Sequence, residues 1–121
     1  MQINKLQDEA STIPAREIKG QRVVSYKQIA ELHQIDTNNL QRNFNRNKSR
    51  FIEGTDYFKI KEQTSVVDNL STWKYYFTES GYLMLVKSLT DDLSWEVQRM
   101  LVNSYFRASI LDRVIEFLPI E

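Results

Sequence analysis

The chain has 121 residues, with 16 Lys or Arg against 16 Asp or Glu, so its formal net charge is zero. That length suits one domain able to bury its own core. There is no cysteine, which excludes a disulfide framework and a thiol nucleophile and leaves a zinc finger without its usual ligands, and no apolar run approaches a membrane span.

The zero total hides an uneven distribution. Residues 1–60 hold ten bases against seven acids, and residues 61–121 hold six against nine. Residues 37–50 hold four bases and no acid. A local basic patch, not the total, supplies phosphate affinity. The absence of cysteine fits a reducing cytosol, and residues 1–10 lack the charged start and apolar run of a secretory leader. A cytoplasmic location is therefore expected.

In chain order, residues 1–12 are polar and read as an N-terminal arm to a single domain over 13–118. Residues 13–18 and 22–25 read as short strands around Lys19-Gly20-Gln21, where Gly20 supplies the freedom a tight turn needs. Ser25 starts a helix, with Gln28 at the capping-box spacing, and Ile29, Ala30 and Leu32 face the core. Residues 33–35 form a turn. Asp36 or Thr37 caps a second helix, whose buried face is Leu40 and Phe44. Residues 47–56 are polar, with a turn at Gly54.

Residues 57–60 and 73–77 are predicted to pair as a hairpin across residues 61–72, a long loop for that purpose. Thr78 caps a helix over 79–87 with Tyr82, Leu83, Leu85, Val86 and Leu89 on its core face. Thr90 then caps one long helix from Leu93 to about Phe117. Along it Val97, Leu101, Ser104, Ala108, Leu111, Ile115 and Leu118 fall on a heptad seam. Val102, Phe106, Ile110, Val114 and Phe117 form a second apolar stripe. A surface helix needs one stripe. Two predict that one packs on its own domain and the other on a partner, so Leu101, Ala108, Leu111, Ile115 and Leu118 are the expected homodimer interface. The alternative is a helix buried all round in the core.

The two helices of residues 25–47 carry the functional signal. Ala30 is the small residue that lets one helix approach another, Ile35 closes the turn and Leu40 locks the second helix down, as in a helix-turn-helix unit. Gln34 stands where such motifs often carry glycine, and plain helical hairpins also satisfy this spacing. With Leu40 and Phe44 inward, Asn38, Arg42 and Asn45 lie nearly opposite, flanked by Asn39 and Arg46. Asn pairs bidentately with adenine and Arg with guanine in the major groove. Asn is also a mediocre helix former, so Asn38, Asn39, Asn43 and Asn45 cost helix stability; a merely solvated face is the bland reading. Arg46, Lys48 and Arg50 are placed to hold phosphates, although one or two cations at a helix C-terminus are expected from the dipole alone.

Lys59-Ile60-Lys61 fits a wing on the DNA backbone and equally a solvated strand edge. Trp73, Tyr75, Tyr76 and Phe77 are better explained by packing than by stacking on bases. His33, the only histidine, reads as structural. There is no Ser-His-Asp set, phosphate-cradling glycine loop or metal-spaced cluster, so neither an enzyme nor a cofactor or metal is expected. A nuclease reading would require a divalent metal among Asp56, Glu62 and Asp68.

Several runs resemble a known family. They are Ile13-Pro14-Ala15-Arg16-Glu17-Ile18-Lys19-Gly20-Gln21-Arg22-Val23-Val24, Arg42-Asn43-Phe44 with Arg50-Phe51-Ile52-Glu53-Gly54, and Thr78-Glu79-Ser80-Gly81-Tyr82 continuing to Leu93. Trp95 to Arg99 and Leu101 to Arg107 extend the likeness. The chain resembles, over about residues 13–107, the open-reading-frame-six N-terminal domain of phage and prophage antirepressor-like proteins, grouped with the KilA-N and Bro-N domains. That resemblance implies a DNA-binding regulatory role in temperate phage or prophage-bearing genomes, and no catalytic residue set. Members often continue into a C-terminal region, so a truncated or a stand-alone module are both open.

The expected fold is α+β: a helix-turn-helix-like unit, small antiparallel strands with a hairpin, and a long C-terminal helix. The expected function is sequence-selective binding of double-stranded DNA by Asn38, Asn39, Arg42, Asn45, Arg46, Lys48 and Arg50, in a homodimer away from membranes. The alternative is a protein-interaction module that binds and inactivates a phage repressor without contacting DNA.

Overall fold

Lys19 and Gly20 both take positive φ, 51° and 81°. Two such residues in succession make the tight turn whose twist suits a two-residue hairpin. That turn joins strands β1 (Arg16–Ile18) and β2 (Gln21–Ser25), paired antiparallel. A computed structural model describes residues 15–65 and 70–107. The expected N-terminal arm and everything past Arg107 lie outside the described residues.

Ser25 ends β2 and caps helix α1 (Tyr26–His33) through the predicted capping box. Its hydroxyl accepts from the Gln28 N–H, and the Gln28 side chain accepts from the Ser25 N–H at 2.9 Å. Gln34 closes α1 in the left-handed conformation (φ 57°), the position where glycine costs least. Asp36 caps α2 (Thr37–Asn47) by accepting from the Asn38 N–H at 2.9 Å. A 3-10 turn over Lys48–Arg50 follows.

Strands β3 (Tyr57–Ser65) and β4 (Leu70–Phe77) form a longer hairpin than expected. The residues assigned to a long loop are mostly ladder, running from Tyr57↔Phe77 out to Ser65↔Leu70. Polar residues such as Glu62, Gln63 and Thr72 carry no apolar alternation, yet the register begun by the aromatic end extends through them. The strand order is β1-β2-β4-β3, all antiparallel. β2 touches β4 only at Val24↔Phe77 and Ser25↔Tyr76 before the chain turns into α1.

The sheet has two unequal faces. Val24, Tyr57 and Phe77 point into the main core with the helices, whereas Val23, Phe58 and Tyr76 form a small cluster on the other side. Phe44 is the hub of the main core: its ring lies 5.0 to 5.4 Å from those of Phe51, Tyr57, Tyr75 and Phe77. One side chain thereby fixes α2 against the hairpin. Leu40 and Phe44 are both buried, as predicted.

Thr78 caps α3 (Glu79–Val86), which meets the preceding turn at Gly81. A Cβ there would lie 1.8 Å from the Asp56 carbonyl oxygen, so only glycine fits. Helix α4 (Asp92–Leu101) is capped by Asp91 in place of the expected Thr90, the Asp91 carboxylate accepting from the Ser94 N–H. The continuous α-helix expected from Leu93 is interrupted: Val102–Phe106 is a π turn, with the Arg107 N–H donating to the Val102 carbonyl at 3.2 Å. The wider turn changes which residues face inward. Ser104, placed on the predicted seam, is exposed, while Tyr105 and Phe106 are buried. Tyr105 donates its hydroxyl to the Val23 carbonyl at 2.7 Å, tying this turn to the sheet.

The α+β class is as expected. The dimer seam needs correction at Leu101, which is fully buried in the domain's own core and has no surface to offer a second copy. Ala108, Leu111, Ile115 and Leu118 lie outside the described residues. Among the described residues, no helix is long and apolar enough to cross a membrane.

Candidate nucleic-acid interface

Helix α2 presents three strips. Leu40 and Phe44 form the buried one. Asn38, Asn39, Arg42, Asn45 and Arg46 are exposed, as are Lys48 and Arg50 in the following turn. The structure thus brings every predicted DNA-facing residue to the surface of α2 and the turn that follows it. Arg42 donates to the Asn39 side chain. Arg42, Arg46, Lys48 and Arg50 form no ion pair with another described residue. Uncompensated cations on a rigid helix leave their charge available to a polyanion.

The third strip, Thr37, Gln41 and Asn45, looks across at β4. With Lys27, Trp73 and Lys74 it lines a groove of about 600 Å³. The groove exists because β2 leaves the sheet at Ser25, so beyond Tyr76 that side of β4 has no strand beside it among the described residues. Gln41 is a polar contact that the sequence reading missed. Its signal was the four-residue spacing from Thr37 and to Asn45.

Not every polar residue of α2 belongs to this surface. Asn43 is half-buried and donates its amide to the Leu85 carbonyl at 2.7 Å. Asn47 donates to the Asn43 carbonyl at 2.9 Å and to its side-chain oxygen at 2.8 Å. Asn43 fastens α2 to α3 and Asn47 braces Asn43, which explains part of the helix's unusual composition without any ligand.

The hairpin supplies a second feature. Trp73 is 50 % exposed, with the Lys59 Nζ 4.7 Å and the Lys61 Nζ 5.9 Å from its ring centroid. Lys48 reaches from the end of α2 to 5.7 Å from the Tyr75 ring. The aromatic run thus divides by cover as well as by alternation: Tyr75 and Phe77 pack on the main core and Tyr76 in the small cluster on the other face, whereas Trp73, on the face of Tyr75 and Phe77, lies beyond the helices' cover. Glu62 lies on the other sheet face from Trp73, at the edge of the same groove, where Arg16 pairs with it at 2.8 Å and the Tyr76 hydroxyl donates to it at 2.8 Å. Those hydrogen bonds, Tyr76 first, hold its carboxyl below the ordinary range against the opposing effect of burial.

The lone histidine lies elsewhere. His33 is buried, with Nδ1 2.9 Å from Ser94 Oγ and Nε2 2.6 Å from the Tyr82 hydroxyl. Each hydroxyl can donate to or accept from the ring nitrogen beside it, so a neutral imidazole satisfies both contacts. Burial pushes the imidazole pKa down to about 4, partly opposed by Asp91, so the ring is neutral at pH 7 and joins α1, α3 and α4.

Asp56 also has a structural role: it accepts from the Ile52 N–H at 2.8 Å and from the Ser80 hydroxyl at 2.6 Å. Asp56 and Glu62 are thus occupied in separate local contacts, and Asp68 lies outside the described residues. Among the described residues no three His, Cys, Asp or Glu side chains group as metal ligands.

A family model described as the ORF6N domain matches residues 14–88. The likeness noted at residues 95–107 falls beyond the matched stretch. No curated protein and no solved structure matches the chain.

Proposed function

The chain belongs to the ORF6N domain family, a phage-associated family of regulatory domains, and from that premise we propose that it is a cytoplasmic, sequence-selective double-stranded DNA-binding regulator of antirepressor type. In this reading α1 and α2 form a helix-turn-helix-like unit and α2 enters the major groove. Asn38, Asn39, Arg42 and Asn45 meet base edges, whereas Arg46, Lys48 and Arg50 meet phosphates. A homodimer would set two copies of α2 on a two-fold site. With Leu101 withdrawn into the core, Ala108, Leu111, Ile115 and Leu118 remain for its seam. No step of this role calls for catalysis or a cofactor.

The observation that carries the reading is the acid-free outer surface of α2, cationic and exposed, on a helix clamped by the Phe44 aromatic cluster. A fixed helix keeps its contacting side chains in one register, which specificity requires.

The test is selection from random duplex DNA followed by salt titration of the selected site. Arg42→Ala with Arg46→Ala is expected to weaken binding at least tenfold and to flatten the salt dependence. Affinity indifferent to salt, or surviving both substitutions, sinks the reading. A protein that binds no DNA but co-purifies with a phage repressor is instead the protein-interaction module.

A further inference from the structure

We infer that the β3–β4 hairpin is a second DNA contact, in which Trp73, Lys59 and Lys61 hold the sugar-phosphate backbone beside the stretch that α2 meets. The inference rests on α2 being the DNA-facing helix and extends that surface onto the sheet.

Register places the three side chains together. Lys59 pairs with Tyr75 and Lys61 with Trp73. Successive alternate residues share a sheet face, so all three lie on the face that carries Tyr57 and Phe77. Near the turn of the chain into α1, that face is covered by helices, and Tyr57 and Phe77 are buried. Farther out the cover stops. Trp73 is half exposed there, and the nearest cations lie beside its ring. A tryptophan left half in water between two lysines is a poor core residue and a good surface for a partner with a flat apolar part and negative charge.

Charge selects that partner. Lys27 and Lys74 line the groove between hairpin and α2, with Lys48 at its α2 side and Lys59 and Lys61 on the hairpin. The acid among the groove residues is Glu62, already held by Arg16 and Tyr76. A polyanion with apolar sugar faces matches this set, and an extended peptide along β4 does not draw on the lysines. The hairpin bears no side-chain fork like that of Asn or Arg at Lys59, Lys61 or Trp73, so its contact is with the backbone and not with base edges. Trp73 lines the same groove as Gln41 and Asn45 of α2, so a duplex met by α2 passes beside it.

The full chain carries two tryptophans, Trp73 and Trp95, which makes the contact directly observable. In Trp95→Phe only Trp73 emits. Titration with a mixed-sequence DNA duplex at low salt is expected to quench that emission in step with binding, whereas the emission of Trp73→Phe stays constant. Lys59→Ala with Lys61→Ala is expected to flatten the slope of log affinity against log salt by about 1.8. The loss, roughly tenfold or more near 0.1 M salt, should be the same on selected and unselected sequences. DNA binding with an unchanged slope and a silent Trp73 overturns the hairpin contact and leaves the α2 reading standing. No duplex binding even at low salt overturns both. Trp73 emission that responds to an added peptide and not to the duplex assigns the open β4 edge to a peptide and also overturns the proposal.

Discussion

Where α1 meets α3 and α4, polar side chains are buried and bonded: His33 lies between Ser94 and Tyr82. On the outer face of α2, polar and cationic side chains stand in water, the Arg42 side chain donating to that of Asn39. The two regions use similar chemistry under opposite constraints. A buried polar group that loses its partner costs its full desolvation, so burial enforces pairing and couples those residues to stability. Exposure removes that penalty. The outer residues of α2 therefore add little to the fold and are free to spend their hydrogen bonds and charge on a ligand. Asn43 and Asn45, two positions apart on one helix, fall on opposite sides of this divide.

The largest effect should come from the tightly packed side. Gly81→Ala forces a methyl group into the Asp56 carbonyl, with backbone on both sides of the clash. A loss of more than about 3 kcal/mol is expected, read as a drop in the urea midpoint or as failure to fold. A variant of normal stability would show that α3 can shift away from that turn.

His33 tests the same region through pH. Its folded pKa of about 4 lies below the ordinary 6.5. As pH falls, the unfolded chain takes up the proton first, so stability is fully present above pH 6.5 and is lost between 6.5 and about 4. The loss amounts to about 3 kcal/mol. His33→Gln should lower stability at pH 7 but remove most of that pH slope. Equal slopes in the two proteins would place the acid sensitivity in other groups.

The asparagine pair sharpens the divide most directly. Asn43→Ala leaves the Leu85 carbonyl without its donor and should cost about 1–2 kcal/mol in thermal or urea unfolding. Asn45→Ala should stay within about 0.5 kcal/mol of the parent in stability. It should nevertheless relax discrimination at one base position of a selected duplex by about 1–3 kcal/mol. A reversal of the two effects would place Asn45 in the fold and Asn43 on the ligand surface.

Much of the local structure was legible in the sequence. Ser25 with Gln28, Asp36, Thr78, the Lys19-Gly20 turn and the Leu40–Phe44 face all depend on residues within four positions of one another. At that range spacing alone specifies the hydrogen bond or the shared helix face. The exposed residues of α2 were legible for the same reason, since placing the apolar pair places its opposite side. His33 was legible as structural, but its partners, and the role of Asn43, were not. Leu85 lies 42 positions from Asn43 and Ser94 lies 61 from His33, and no local pattern says that an asparagine will find a distant carbonyl.

The chain's own order of caps, turns and apolar spacings determined that α1 and α2 form and which side of α2 faces out. Tertiary contact decided how far the β3–β4 ladder runs, that the π turn buries Tyr105 and leaves Ser104 exposed, that Leu101 belongs to the core, and that Trp73 faces a groove beside α2. Caps and helix faces are set by neighbours along the chain. Ladder length, helix phase and grooves are set by surfaces that meet only after the elements have packed.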